Sequence, residues 1–393
     1  MKIAHVVYQC FPNISGSSTR TNHILEAQKA HGFEPLVISS PCQPPEDLAK
    51  TVGCEMLNGV KHYRTFCFSG LSVGGKSTIW EKIKKVIAFP YFVYKLWRFC
   101  LVEKPDVLHA HAMFYCAISA IIVGKLLKIP TVYEVRSIWY ANSNSQQSSL
   151  LKKLAIKAEH FAIRFSNSVI AISDGIKSEF SDIREDIYIV RNAIREDSVL
   201  AEPKLSSEFK RFGYVGSVIE LEGLNYAIDA FAQLKKAHPD IQFHIYGGGS
   251  KLDELKDHAL KVKSPTVFHG QIPPSEVHRC YDELDCIINC RNDELVAQLV
   301  TPLKPLEAIA LNKVLICSDV QGYMEIIGGD NHAIVVKPRD SDSIVTAVEY
   351  VLNVSSYDAL IEKLSLARAY IAENRTWESN MAVHTSIYEK LLS

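Results

Sequence analysis

Short apolar, β-rich runs alternate with helix-length amphipathic stretches along the whole chain, a pattern that predicts parallel sheets covered by helices. In the first half the predicted strands are 3–8, 35–39, 61–67, 107–110, 131–135, 169–172 and 187–190, with helices over 19–31, 78–102, 113–128 and 149–166. A polar stretch, 195–210, holds Pro203 with several Ser and Glu and reads as a linker. The pattern then restarts with strands 211–216, 242–246, 266–269, 286–289, 314–318 and 333–336, separated by helices over 224–237, 251–262, 302–311, 341–353 and 356–374. The expected fold class is α/β: two doubly wound Rossmann-like domains, 1–194 and 211–374, facing across a cleft. Ligands of such sheets bind beyond the carboxyl ends of the strands. Neither half carries a Walker A sequence or a Gly-x-Gly-x-x-Gly fingerprint, so neither a P-loop kinase nor an ordinary dehydrogenase is supported.

Charge narrows the partners. The 393 residues hold 43 Lys+Arg against 44 Asp+Glu, a net charge of −1, so no bulk field draws in nucleic acid and any anion site must be local. Apolar residues at 47% and charged residues at 22% are the balance of a globular protein. The ten cysteines include no Cys-x-x-Cys pair and read as reduced thiols of a cytoplasmic protein. Cys280, Cys286 and Cys290 cluster without zinc-site spacing, so no metal is expected. Residues 1–8 read as a strand and not a signal peptide. The longest uncharged apolar stretch, 110–124, is shorter than the ~20 residues that span a bilayer, so no membrane crossing is expected.

Candidate chemistry concentrates in 299–310. Thr301 suits an N-cap and Pro302 a first helical position, so a helix would begin there with free N–H groups that attract phosphate. Lys304 in that first turn opposes the helix dipole unless an anion is bound, and Glu307 is one turn further in, where it could accept from a ribose diol. The plainer alternative is a solvated amphipathic helix. Arg20 raises the same dipole question after a Gly/Ser loop, against an exposed surface Arg. Arg136 either binds substrate or pairs with Glu134, the second being favoured. Gly248, inside Gly247-Gly-Gly249, permits close backbone approach or simply makes a turn. The segment 76–98 mixes Lys76, Lys82, Lys84, Lys85, Lys95 and Arg98 with Trp80, Phe89, Tyr91, Phe92, Tyr94 and Trp97, as an anionic membrane surface would require, although core aromatics with solvated lysines would read the same. Pro90 should break or kink that helix.

The segment 299–310 resembles the donor-binding helix of the retaining GT-B glycosyltransferases of family 4. Further segments agree in order: Ser15-Gly16-Ser17-Ser18-Thr19-Arg20, Asp106-Val-Leu-His-Ala-His111, Ala171-Ile-Ser-Asp174, Val190-Arg-Asn192 and Tyr214-Val-Gly-Ser-Val-Ile-Glu-Leu-Glu-Gly223. The resemblance implies transfer of a hexose-type sugar from a UDP- or GDP-linked donor to a glycan or lipid-linked acceptor, with retention and with no cofactor or protein nucleophile. Lys304 would stabilise the leaving phosphate, as prearranged donors do. His111 would contact the sugar, with His109 as its competitor. Gly216, Ser217, Gly248, Arg291, Leu299, Val300, Thr301 and Glu307 would bind the donor, and Gly16, Arg20 and Arg136 the acceptor side. A C-terminal helix, 375–393, would pack back on the first domain.

Three positions depart from the family pattern. Ser217 and Glu222 stand where the family commonly has Arg and Lys, and Leu299 stands where it has the first of two glutamates, leaving Asp293, Glu294 or Gln298 to replace it. These departures motivate a second reading, a non-catalytic GT-B partner of an active transferase, while a sugar-nucleotide epimerase is a third.

Overall fold

The computed structural model describes all residues except 12–14, 42–52, 66–78, 139, 141–148, 200–204, 207 and 274–275. Two compact units emerge, one of Met1–Val190 with Asn380–Ser393 and the other of Arg191–Ser379. The division falls ahead of the stretch read as a linker. Ile194 exchanges backbone hydrogen bonds with Arg375 and Trp377, and Val199 accepts from the Arg368 guanidinium, so this stretch is tied into the second unit.

The first unit runs β1 (Lys2–Val7), α1 (Gly16–Ala30), β2 (Glu34–Ser39), β3 (Gly53–Leu57), β4 (Val60–Arg64), α2 (Ile79–Glu103), β5 (Val107–His111), α3 (Phe114–Leu127), β6 (Thr131–Val135), α4 (Ser149–Phe165), β7 (Ser168–Ala171), α5 (Asp174–Glu179) and β8 (Ile187–Ile189). Its eight strands are ordered β3-β4-β2-β1-β5-β6-β7-β8. All are parallel except the β3–β4 hairpin, whose turn residues Asn58 and Gly59 both take positive φ, 49° and 72°. Residues in β5, β6 and β7 are buried throughout, as expected of parallel strands covered on both faces. Helix α1 starts from a reciprocal cap in which Ser15 Oγ accepts from the Ser18 N–H and Ser18 Oγ from the Ser15 N–H. Of the break or kink expected at Pro90, the break does not occur, since helix α2 runs through Pro90 to Glu103.

The second unit runs β9 (Arg211–Val215), α6 (Leu224–Leu234), β10 (Gln242–Tyr246), α7 (Leu252–Val262), β11 (Thr266–Gly270), α8 (Val277–Asp282), β12 (Cys286–Asn289), α9 (Leu295–Leu299), α10 (Lys304–Ala310), β13 (Val314–Ser318), α11 (Gln321–Ile327), β14 (Ile334–Val336), α12 (Ser341–Leu352) and α13 (Tyr357–Asn374). Its six strands are parallel in the order β11-β10-β9-β12-β13-β14. Phe231 from α6 anchors the core against Phe212 and Phe243, with ring centroids 5.4 and 5.0 Å away. Full burial of each such side chain stabilises the fold by about 1.5–3 kcal/mol. The last helix, α14 (Trp377–Leu392), contributes Asn380 onward to the first unit.

In each sheet the strand order reverses at one place, between β1 and β5 and between β9 and β12. Ligand sites of open α/β sheets form at such switch points, outside the carboxyl ends of the strands. Among the described residues no single helix is long and apolar enough to cross a membrane.

Candidate functional site

At the switch point of the second unit, β9 ends and the chain turns at Gly216, φ 149°. A Cβ there would lie 2.5 Å from Lys304 Cε, so the absent side chain leaves the space that the lysine occupies. Gly247 closes β10 from the other side, where a Cβ would fall 1.8 Å from the Gly216 carbonyl oxygen. Gly248 accepts from the Val218 N–H and Ser217 from the Tyr214 hydroxyl, both through backbone carbonyls. The Ser217 side chain is exposed.

Lys304 and Arg291 meet at one carboxylate oxygen. Lys304 Nζ and Arg291 Nη2 each lie 3.0 Å from Glu222 Oε1. Lys304 also donates to the Tyr214 hydroxyl, and Arg291 packs 5.2 Å from the centre of the Tyr323 ring. Burial alone would push the Glu222 carboxyl up, but Arg291 and Lys304 outweigh it and hold the pKa at about 2. Burial lowers the Lys304 pKa in spite of Glu222, yet the side chain keeps 19% exposure. The cluster therefore carries two cations and one carboxylate, at the ends of β9 and β12 and the start of α10.

The residues read from sequence as donor-binding fall in varied surroundings. Helix α10 begins at Lys304 with Leu303 as its cap, not at Thr301 and Pro302. Thr301 is instead buried, and its carbonyl accepts from Asn192 Nδ2 at 2.6 Å. Leu299 closes α9, and the Val300 N–H continues that turn to Val296. Of the acids and amides that might replace the missing glutamate, Asp293 pairs with Arg339 at 2.7 Å and Gln298 caps α11 through the Gln321 N–H. Glu307 accepts from the Tyr281 hydroxyl at 3.3 Å, and burial raises its pKa.

The first unit gathers a larger buried polar cluster at its own switch point. Glu134, at the end of β6, accepts from Arg20 Nε at 2.8 Å and Arg136 Nε at 2.7 Å on the same oxygen, Oε1. Burial opposes the Glu134 charge, but Arg136 and Arg20 hold its pKa well below the carboxylate range. Arg20 lies in the second turn of α1, 2% exposed, so it is neither the first helical residue nor a surface side chain. Arg136 also donates to the Ser17 carbonyl and to Thr21 Oγ1, both at 2.7 Å. Gly16 is exposed at the start of α1.

Because arginine only donates, its contact with His111 fixes the proton order of a whole chain. Arg136 Nη2 donates to His111 Nδ1 at 2.6 Å, so His111 is protonated at Nε2 and donates to His5 Nδ1 at 2.7 Å. His5 Nε2 donates to Gln28 Oε1 at 2.8 Å, Gln28 Nε2 to the Tyr388 hydroxyl at 2.9 Å, and that hydroxyl to His109 Nδ1 at 2.8 Å. His109 Nε2 is then left facing Glu134 Oε2 at 3.4 Å, without a hydrogen bond, so the chain of bonds curves round almost into a ring. Burial lowers the pKa of His5, His109 and His111, in keeping with neutral rings.

His111, read from the resemblance as the residue that contacts the sugar, lies at the end of β5. The structure engages both of its nitrogens inside the protein and leaves the residue 1% exposed. Its Nδ1 accepts from Arg136 and its Nε2 donates to His5. His5, Gln28 and Tyr388 were not singled out from sequence; the available signal was His5 on β1, directly beside His109 on β5. Two side-chain groups, His5/His109/His111 and His109/Glu134/His384, have ligand atoms within 4.8 Å of one another. In the first, hydrogen bonds occupy both nitrogens of His5 and His111, and two guanidinium groups against Glu134 make the second unfavourable for a cation.

Residues 14–198 match the family described as Glycosyltransferase Family 4, and residues 197–366 the family described as Glycosyl transferases group 1. The chain belongs to the group 1 glycosyltransferases of the GT-B fold. Its relatives include glycogen synthase of Mycobacterium tuberculosis (strain H37Rv), 24% identical over 99% of this chain and 94% of that protein. Alpha-D-kanosaminyltransferase of Streptomyces kanamyceticus is 23% identical over 63% of this chain and 68% of its own length. Among solved structures, sucrose-phosphate synthase from Thermosynechococcus elongatus superposes with a TM-score of 0.76 at 15% identity, covering 99% of this chain and 98% of that one. Anabaena HepE in complex with UDP and glucose gives 0.70 at 16% identity, covering 100% and 99%. This glycosyltransferase uses a sugar-nucleotide donor, and the charged cluster at the β9/β12 switch point is its candidate anion site.

Proposed function

We propose that this glycosyltransferase moves a hexose-type sugar from a UDP- or GDP-linked donor to a glycan or lipid-linked acceptor, with retention of configuration and without a metal or other cofactor. The observation that carries the donor side is the convergence of Lys304 and Arg291 at the switch point of the second unit, with Gly216 making room for the lysine. Departure of the nucleoside diphosphate builds negative charge on the leaving oxygen, and two prearranged cations stabilise that charge without a metal. A structural neighbour of the same fold, HepE, is solved with UDP and with UDP-glucose, which supports the UDP-linked form of the donor. The first unit takes the acceptor, with Arg20 and Arg136 supplying positive charge beyond what Glu134 balances.

Thermal-shift measurements with UDP, GDP, ADP and their sugars test the donor assignment, because a ligand that binds only the folded state raises the melting temperature. Lys304→Met keeps the apolar stem and removes the charge. Its turnover is expected to fall about 10²–10³-fold, the range seen when one transition-state donor is removed, with a parent-like circular dichroism spectrum. Turnover within twofold of the parent would exclude Lys304 from the chemistry. The engagement of both cations by Glu222 favours one alternative, a nucleotide-binding partner without turnover. Donor binding with no consumption under a panel of acceptors would select it.

We further place the enzyme in the cytoplasm, peripherally on an anionic membrane. Ile87, Tyr91, Tyr94, Leu101 and Val102 are exposed along α2, with Lys95 over the Tyr91 ring and Arg98 exposed among them. Lys76 and the side chains of Trp80, Lys82, Lys84 and Lys85 lie outside the described residues. Sedimentation with phosphatidylglycerol vesicles but not with phosphatidylcholine vesicles is the expected result, and Tyr94→Glu should reduce it.

A further inference from the structure

Glu222 sits in the short turn Glu220–Glu222 that follows β9, and it is 3% exposed. A carboxylate kept only to neutralise an arginine usually meets it with both oxygens in a two-pronged pair. Here one oxygen serves Lys304 and Arg291 together, while Glu222 Oε2 and Arg291 Nε are buried with no hydrogen-bond partner. Asn289 Nδ2, at the end of β12, is a second buried donor with no partner. The polar complement around the two cations is thus incomplete. Its two unpartnered donors, Arg291 Nε and Asn289 Nδ2, call for acceptor oxygen, which a phosphoryl group carries in excess, while Glu222 Oε2 is an acceptor without a donor.

We propose that Glu222 is the resident counter-anion of the phosphate site, that its Oε1 holds the position a phosphoryl oxygen takes when the donor binds, and that Glu222 thereby sets the affinity of the site for diphosphates. The inference rests on the donor assignment to Lys304 and Arg291. With no ligand, the carboxylate keeps the buried Arg291 and the partly buried Lys304 from facing each other unpaired, an arrangement that is costly where water is largely excluded. When a diphosphate enters, its oxygens compete with Glu222 for the same two donors and are repelled by its charge. Binding is weaker than two cations alone would give, and release of the product diphosphate is correspondingly faster. Electrostatic partners of this kind act on affinity and on release.

Isothermal titration of the full chain with UDP and with inorganic pyrophosphate, on the parent and on Glu222→Gln, tests this. Removal of the carboxylate charge is expected to tighten both ligands by about tenfold or more. Steady-state kinetics should show a lower donor KM together with a lower kcat, as product release slows, a split that a purely structural role would not produce. If Glu222→Gln does not fold, Glu222→Asp withdraws the carboxylate by one methylene and should give a smaller tightening in the same direction. Unchanged or weaker binding of both ligands in the variant overturns the proposal while leaving the donor assignment intact. Pyrophosphate that tightens while no nucleotide binds either protein supports Glu222 as counter-anion and removes the nucleotide reading. Failure of both ligands to bind any of the proteins overturns both.

Discussion

Two guanidinium groups share one oxygen of Glu134, and the residues that do so come from positions 20 and 136 of the chain. The local half of this arrangement was legible, because Glu134 near the end of β6 and Arg136 just beyond it are two apart in extended chain and face the same way. The other half was not, since nothing in the Gly/Ser loop before Arg20 says which acid it will meet 114 residues later. Glu134→Gln preserves shape and leaves two buried cations without their counter-charge. Loss of one partner from such a pair costs about 3–5 kcal/mol, so the urea midpoint for the first unit should drop sharply, and a drop under about 1 kcal/mol would mean that water or an anion already shares the charge. Glu222 gives the same lesson at the other switch point. Compared by position, it looked like the loss of a phosphate-binding cation; its coordinates make it the partner of the cations that remain.

At the level of elements, the alternating apolar pattern located thirteen of the fourteen strands among the described residues to within a few residues, because buried parallel strands are short unbroken apolar runs bounded by turns. Strand β3 was missed although Asn58-Gly59 is the strongest hairpin signal in the chain; its residues are mostly exposed and do not form an apolar run. Helices α5, α8, α9 and α11 were missed because five to seven residues do not complete two turns of a 3.6-residue period. The start of α10 moved by two residues because Thr301 is occupied with Asn192. Helix α14 invites a direct test. Tyr388 is the only member of the polar ring that it supplies, and Tyr388→Phe removes a donor to His109 and an acceptor from Gln28. Stability should fall by about 1–3 kcal/mol, the cost of leaving buried polar groups unmade. The nitrogen-15 shifts of His109 should lose the pattern of a single protonated Nε2. Retention of that pattern would show that Glu134 alone fixes the tautomer.

For the molecule as a whole, the buried histidines determine how stability varies with pH. His5, His109, His111 and His384 are each held below the ordinary value by burial, His384 at about 3. The unfolded chain takes up protons on these rings near pH 6.5 while the folded chain does not, so their contribution is present above pH 6.5 and is lost as pH falls. Each ring costs about 1.4 kcal/mol per pH unit once it is protonated only in the unfolded state. Thermal unfolding of the first unit should therefore move steeply downward between pH 6.5 and 5, and a flat profile would mean that the rings are charged in the folded protein. Helix α14 carries a consequence of another kind. The sheet of the first unit has its polar ring completed by Tyr388, about 200 residues beyond the last of its strands. The second unit, Arg191–Ser379, is synthesised entirely within that interval. During translation the strands of the first unit therefore wait for Tyr388 for the time needed to add about 200 residues, roughly 10–40 s at ordinary elongation rates, and over that interval they are exposed to proteases and chaperones with their polar ring incomplete.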